Sequence, residues 1–314
     1  MPHRENHLKG YALGLLATLL WASYYPAARY IFGTETGRTD PFLLSLIRFS
    51  FAVLFFIPFV FFSEKRRAEL PGLIRKEWKI LLLLAFSGVL IQGILVFVSL
   101  KYTTAARGSL MANACPVFTV LLAWLFLKEK ITRSMWIGMV TGFAGISLAM
   151  FSKSSDIFST NSSMMLFGDF LALLSGVAWG GYTIAGVRVV KQYDPHSVTM
   201  LTFLLGALMT PVVMLIFGSS FDFHLSWRLW IGMLYMGFVT GGAAFCIWLS
   251  ALRYVPSSKL GAYGYLSALL AATSSIVFLK EKISWIFAVS VVLTLGGMYL
   301  LMRKPDQKAI SGKK

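Results

Sequence analysis

Residues Phe126–Ile131 read FLKEKI, and residues Phe278–Ile283 read FLKEKI again, an offset of 152. At the same offset LKYTTAAR (Leu100–Arg107) answers LRYVPSSK (Leu252–Lys259). Six consecutive identities in register with a second match upstream mark an internal duplication, not a local motif. Earlier in each half, GYALGLLATLLWASY (Gly10–Tyr24) matches GDFLALLSGVAWGGY (Gly168–Tyr182) at an offset of 158. Trp21 and Tyr24 therefore answer Trp179 and Tyr182, each pair one helical turn apart.

The sequence around these repeats is apolar. Hydrophobic residues fill 57% of 314 positions and charged residues 13%, more apolar surface than a water-soluble fold of this length hides. Apolar stretches of about 20 residues, each enough to cross a bilayer core of about 30 Å, recur along the chain. They run over residues 10–32, 42–62, 80–100, 104–127, 135–151, 166–190, 198–217, 229–252, 255–279 and 285–302. None alternates with period two, so they predict helices and exclude a barrel. The first run is too long for a signal-peptide core and is read as a retained helix. The longest connections, 63–79 and 152–165, are expected as loops.

The predicted fold is an all-α integral membrane protein of ten transmembrane helices, made of two five-helix repeats at residues 10–151 and 166–302. Five is odd. If the connections alternate sides, the second copy enters from the opposite face, which gives the inverted repeat of many secondary transporters. A packing open to one side then has a partner of similar energy open to the other, as alternating access requires.

The formal charge of +16 does not speak for nucleic acid, because the basic residues sit in short clusters between apolar runs. Topology explains them. With both termini on one side, that side carries 20 Lys and Arg against 8 on the other, Arg48 inside the second segment completing the 29. By the positive-inside rule the termini are cytoplasmic. Cys115 and Cys246 lie far apart within apolar runs and offer neither a disulfide framework nor a metal-ligand spacing. The four histidines lie in tails or loops, and no nucleophile elbow or phosphate-cradling loop occurs, so no enzyme chemistry, metal or cofactor is expected.

The motifs LLATLLWASYYPAAR in the first segment, LIRFSFA in the second, CPVFTVLLAWLFLKEKIT in the fourth, GDFLALLSGVAWGGYT in the sixth and FLKEKI ending the ninth, in this order and spacing, resemble the drug/metabolite transporter superfamily and its ten-helix EamA-type proteins. The resemblance covers Gly10 to Met302. It implies a bundle with a central cavity near the bilayer midplane, lined by helices 1, 3, 4, 6, 8 and 9, with helices 5 and 10 peripheral. Two departures stand out. Ala268 replaces the proline usual in the ninth helix, while its counterpart Pro116 is present, and Lys128 and Lys280 replace a usual small residue.

Candidate cavity residues follow from chemistry and depth. Trp21, Tyr24, Trp179 and Tyr182 join an apolar ring to a hydrogen-bonding tip, suited to a partly apolar metabolite; the alternative is packing or headgroup anchoring. Gln92, Asn113, Tyr263 and Tyr265 are polar groups deep in apolar sequence, either substrate partners or bridges between helices. Arg48 is an intramembrane charge, expected to tie helix ends or to attract anionic substrates. Pro116 is the hinge candidate, and Pro26, Pro58 and Pro211 also interrupt apolar segments. Glu129 and Glu281 read as solvated ion pairs beside lysines, and Asp169 as a helix-start cap.

The expected function is secondary-type export of a small metabolite such as an amino acid, driven by a gradient because no ATP-binding motif occurs. The alternatives are an importer or antiporter of nucleotide-sugar or phosphorylated compounds, and a membrane-embedded protein without transport activity. The expected partners are a small-molecule substrate and the lipid bilayer, not nucleic acid. The expected location is a bacterial inner membrane.

Overall fold

The computed structural model describes residues 2–23, 40–99, 102–103, 108, 111–151, 163–279 and 285–303. Among these residues the regular structure is helical. Helix α1 spans Pro2–Ala22 and α2 Pro41–Phe61; α3 runs from Glu64–Leu84 through a π-helical segment, Ala85–Ile91, into Gln92–Ser99. Then come α4 (Cys115–Leu127), α5 (Arg133–Phe151), α6 (Ser163–Val189) and α7 (Pro195–Ile216). Helix α8 begins at Trp227–Tyr235, passes through a second π segment, Met236–Ala243, and ends at Ala244–Ala251. A short turn, Ser257–Gly261, leads into α9 (Tyr263–Leu279), and α10 is Trp285–Met302.

Six helices among the described residues are long and apolar enough to cross a membrane: α2, α3, α6, α7, α8 and α10. Several expected boundaries move. Residues 64–79, expected as a loop, form the polar first turns of α3, with Pro71 inside them and a kink at Glu77, because a charged sequence extends a helix beyond the lipid as readily as within it. Likewise α1 starts at Pro2 instead of Gly10. The fourth segment does not run unbroken from 104 to 127: Asn113 and Ala114 form a turn, and the helix restarts at Cys115 with Pro116 in its first turn. Proline there lacks only a donor that would be unpaired anyway, while in the middle of a continuous helix it would remove a bond to the carbonyl four residues back. The sixth helix begins at Ser163, so Asp169 lies more than a turn inside it.

Caps fix where other helices begin. Asp40 accepts hydrogen bonds from the Phe42 and Leu43 amides at 2.8 and 3.4 Å, and Pro41 opens α2. Asp194 accepts from the His196 amide at 2.9 Å, and Pro195 opens α7. The two Asp-Pro starts lie 154 residues apart.

Contacts between connections sort the helix ends into two groups. At one end Arg66 pairs with Asp194 at 3.3 Å. There Arg253 donates to the Val190 carbonyl at 2.5 Å and also to that of Tyr193. Glu129 accepts from the Ser257 hydroxyl at 2.8 Å and from the amide and hydroxyl of Ser258. Glu129 thus caps the Ser257–Gly261 turn and is not the lysine-paired carboxylate expected; the left-handed Lys128 at φ 55° ends α4 and redirects the chain. Gly10 packs on Tyr254 and Val255, and the Ser134 hydroxyl donates to the Leu300 carbonyl at 2.7 Å, which brings the start of α1 and the end of α10 to this end too. At the other end the Thr103 hydroxyl donates to Asp169 at 2.5 Å, Gly168 packs on Tyr102 and Thr103, and Phe42 stacks on Phe217 at 5.6 Å. From Asp169 to Val189 is about 30 Å along α6, so the two groups lie at opposite ends of the bundle.

The largest buried cluster joins α1, α2, α3, α6, α7 and α8 around Phe49, Phe56, Tyr182, Phe203 and Trp248. A second cluster joins α4, α5, α9 and α10 around Met139, Ile146 and Tyr265. In it, Gly138, Gly142 and Gly145 of α5 meet Gly297 and Thr294 of α10 backbone to backbone, the small-residue packing that holds helices together where lipid offers no hydrophobic drive.

Asp194 sits outside the apolar helix interiors, half-buried. Burial works against its charge, but the His196 side chain and amide, with Arg66 nearby, hold its carboxyl well below the usual range. A carboxyl depressed on folding stabilises the protein above its unfolded pKa of about 3.9 and loses that contribution as pH falls through the folded value. Thermal melting in detergent is therefore expected to hold its Asp194 contribution from neutral pH to about pH 4 and to lose it below. Asp194→Asn lowers the melting temperature at pH 7 and flattens the acid fall. Identical acid profiles for the two proteins contradict this.

Candidate functional site

The middle of the bundle is aromatic. Trp21 of α1, Trp179 and Tyr182 of α6, and Phe245 and Trp248 of α8 meet ring to ring. Trp21 lies edge-on to Trp179 at 5.0 Å and to Phe245 at 5.5 Å, and is tilted on Trp248 at 5.4 Å. Trp179 stacks on Tyr182 at 5.4 Å and meets Phe245 and Trp248 at 5.4 and 5.5 Å. Phe203 of α7 extends the cluster from Phe245 at 5.0 Å to Phe49 of α2 at 5.8 Å. Trp179 lies ten residues from Asp169 and ten from Val189, so about 15 Å separates the cluster from either end group.

The spacing that places these rings is local. Trp179 and Tyr182, like Phe245 and Trp248, are three residues apart and share one helix face. Tyr182 has its place because residue 88 is glycine: a Cβ there would overlap the Tyr182 ring. Gly88 lies within the π segment of α3, and Thr240, whose carbonyl receives the Trp21 indole N–H at 2.9 Å, lies within that of α8. The Trp248 indole donates to the Thr183 hydroxyl at 3.2 Å.

One fully buried polar atom of the cluster has no such partner. The Tyr182 hydroxyl is buried without a hydrogen bond, on a residue that is 0% exposed. A buried hydroxyl left without a partner costs about 1–3 kcal/mol. Such a group in a tightly packed interior invites a functional explanation.

The remaining candidates are dispersed. The Tyr263 phenol donates to the Tyr11 carbonyl at 2.8 Å and ties α9 to α1. The Tyr265 phenol donates to the Met139 carbonyl at 2.7 Å over Gly142, within the second core cluster and away from the aromatic rings. Both hydroxyls are engaged in holding helices. Gln92 is half-buried where α3 leaves its π segment, and its backbone N–H donates to the Ser87 and Val89 carbonyls. Asn113 is half-buried in the turn before α4. Pro116 packs against Gly264 of α9. Arg48 is half-buried beside the π segment of α8, its Nε 3.7 Å from where a Cβ of Gly241 would stand. Tyr24, Pro26 and Glu281 lie outside the described residues.

Two carboxylates lie deeper than expected. Asp169 is buried and accepts from Thr103, and Glu77, at a kink in α3, is buried 3.9 Å from Arg188. Among the described residues no group of three His, Cys, Asp or Glu is placed to hold a metal. Phe245, Trp248 and Thr240 were missed by the reading of the sequence. The signal for the first two was present, because their spacing in the eighth segment repeats that of Trp179 and Tyr182 in the sixth.

Comparison with known proteins agrees with this architecture. The model of the EamA-like transporter family matches the chain twice, at residues 8–151 and 166–303. An uncharacterized transporter of Archaeoglobus fulgidus is 29% identical over 299 residues, 95% of this chain and 99% of that one. The uncharacterized transporter YetK of Bacillus subtilis is 25% identical over 86% of this chain and 81% of its own. A solved crystal structure, 21% identical, shares the fold with a TM-score of 0.74 over 93% of this chain and 95% of that one.

Two substitutions at the cluster should act in opposite directions on stability. Gly88→Ala forces a methyl group into the Tyr182 ring, costs about 1–3 kcal/mol of stability as overpacking typically does, and lowers the melting temperature. Tyr182→Phe removes the unpartnered hydroxyl and leaves the melting temperature unchanged or higher. A marked loss of stability in Tyr182→Phe contradicts the account of that hydroxyl.

Proposed function

We propose, from the premise that this chain belongs to the EamA-like transporter family, that it carries a small metabolite through a bilayer and binds it among Trp21, Trp179, Tyr182, Phe245 and Trp248. The observation that carries this reading is the Tyr182 hydroxyl, buried in mid-bundle with no partner. A substrate with a hydrogen-bond acceptor satisfies it, and the surrounding rings take the apolar part. The family and its named relatives are transporters, so the coarse function is membrane transport. The finer reading is secondary-type export of a compound such as an amino acid.

The mechanism proposed is alternating access between two inverted five-helix copies, residues 10–151 and 166–302. Three things support it. Gly10 packs on Tyr254 and Val255 at one end of the bundle, and its repeat counterpart Gly168 packs on their counterparts Tyr102 and Thr103 at the other. The π segments of α3 and α8 fall at matching places in the two halves, as do the Asp-Pro starts of α2 and α7. The connections of 63, 128–132, 190–194 and 252–256 gather at one end, as a chain of alternating crossings requires. That end carries the excess of Lys and Arg and faces the cytoplasm of a bacterial inner membrane.

Counterflow in proteoliposomes tests the proposal. Vesicles preloaded with unlabelled amino acids, nucleobases or sugars are mixed with the labelled compound outside. Protein-dependent exchange is expected for at least one class, with an apparent affinity weakened about fivefold in Tyr182→Phe, the factor of one net hydrogen bond. Folded protein that exchanges none of these classes, or a Tyr182→Phe variant with unchanged affinity, contradicts it.

A further inference from the structure

The two π segments are alike in detail. In α3 the Gln92 amide reaches back five residues to the Ser87 carbonyl, and in α8 the Ala244 amide reaches back five residues to the Val239 carbonyl. Donors and acceptors are related by the repeat offset of 152. Ordinary α-helical pairing would join these amides to the carbonyls four residues back, Gly88 and Thr240. Each π turn therefore draws away the usual donor of one carbonyl in the middle of the bundle, where no water replaces it.

In the second half that carbonyl is served from across the bundle: the Trp21 indole donates to Thr240 at 2.9 Å. The repeat counterpart of Trp21 is Trp179, and that of Thr240 is Gly88. Trp179 stands one ring away from Gly88, stacked at 5.4 Å on Tyr182, which itself lies against Gly88. Yet the Trp179 indole makes no hydrogen bond to a described residue. One member of a matched pair of latches is closed and the other open.

We infer that the two indoles act as alternate latches: Trp21 on Thr240 holds the present arrangement, and Trp179 on Gly88 holds its repeat-related counterpart. The inference rests on the inverted-repeat reading, in which the two states exchange the roles of the two halves. A carbonyl whose usual amide is drawn to another acceptor suits this use because it accepts an indole N–H without breaking the helix. It also ties the switch to the substrate cluster, since Trp21 and Trp179 touch each other edge to face at 5.0 Å.

Distance measurements between spin labels test it, in protein carrying Cys115→Ala and Cys246→Ala and reconstituted in bilayers. One pair sits at Leu8→Cys and Tyr254→Cys, and the matched pair at Leu166→Cys and Tyr102→Cys at the other end. Trp21→Phe keeps a ring and removes the N–H. It is expected to shift the ratio of the two populations about fivefold toward the opposite state, the factor of one net hydrogen bond. Trp179→Phe shifts the ratio the other way, and the double variant returns it toward that of the parent. If Trp21→Phe fails to fold, benzothienylalanine at position 21 replaces only the N–H by sulfur. Reciprocal motion of the two pairs that neither Phe variant alters, or shifts of the same sign in both, overturns the latch and leaves the inverted reading standing. Pairs that open and close together overturn both.

Discussion

Backbone amides and carbonyls inside lipid have no water to turn to, and this constraint governs the structure. Helices satisfy it along their length, and several departures from regular pairing draw a partner from elsewhere. Asp40 holds the Phe42 and Leu43 amides of α2, Asp194 the His196 amide of α7, and Glu129 the Ser258 amide of the Ser257–Gly261 turn. In the interior the departure is the π turn, and the Trp21 indole answers it at Thr240. The same rule that forces the chain into helices thus decides where an aromatic side chain must reach across the bundle.

The two halves are built alike but are not equal at the centre. Phe245 and Trp248 in the second half correspond by the 152-residue offset to Gly93 and Val96 in the first. Gly93 leaves room that the Phe49 ring fills. The aromatic cluster is therefore supplied mainly by α6 and α8, with Trp21, and Phe49 at its edge, the contribution of the first half. Symmetry of frame with asymmetry of lining suits a carrier whose two states are close in energy and whose substrate has one preferred orientation.

Much of this was legible in the residues. The apolar runs gave helices, and the duplicated FLKEKI and the Trp-x-x-Tyr pairs brought Trp21, Trp179 and Tyr182 to the same depth, where the structure joins them. Helix ends were less legible, because the first turns of α3 and α1 are polar, and hydropathy marks the edge of the lipid instead of the end of the helix. The partner of Glu129 was hidden for another reason. Its neighbours in sequence are lysines, while the serines it caps lie 128 residues away. The π turns were not legible at all: they add one residue to a turn without changing composition, and only the paired carbonyls reveal them. Tyr265 shows the limit of depth as a guide, since it is as buried as Tyr182 but its hydroxyl is bound to Met139 in a separate core.

The central claim is that the matched halves are threaded through the bilayer in opposite senses. Cysteines placed singly at Arg67, Lys130 and Lys191 mark one end of the bundle, and cysteines at Met164 and Ser219 mark the other. Labelling sealed, right-side-out vesicles with a membrane-impermeant thiol reagent, before and after permeabilisation, reports the side of each. The account predicts that the first three react only after permeabilisation and the last two before it. Reaction of Arg67→Cys and Lys191→Cys from different sides contradicts it.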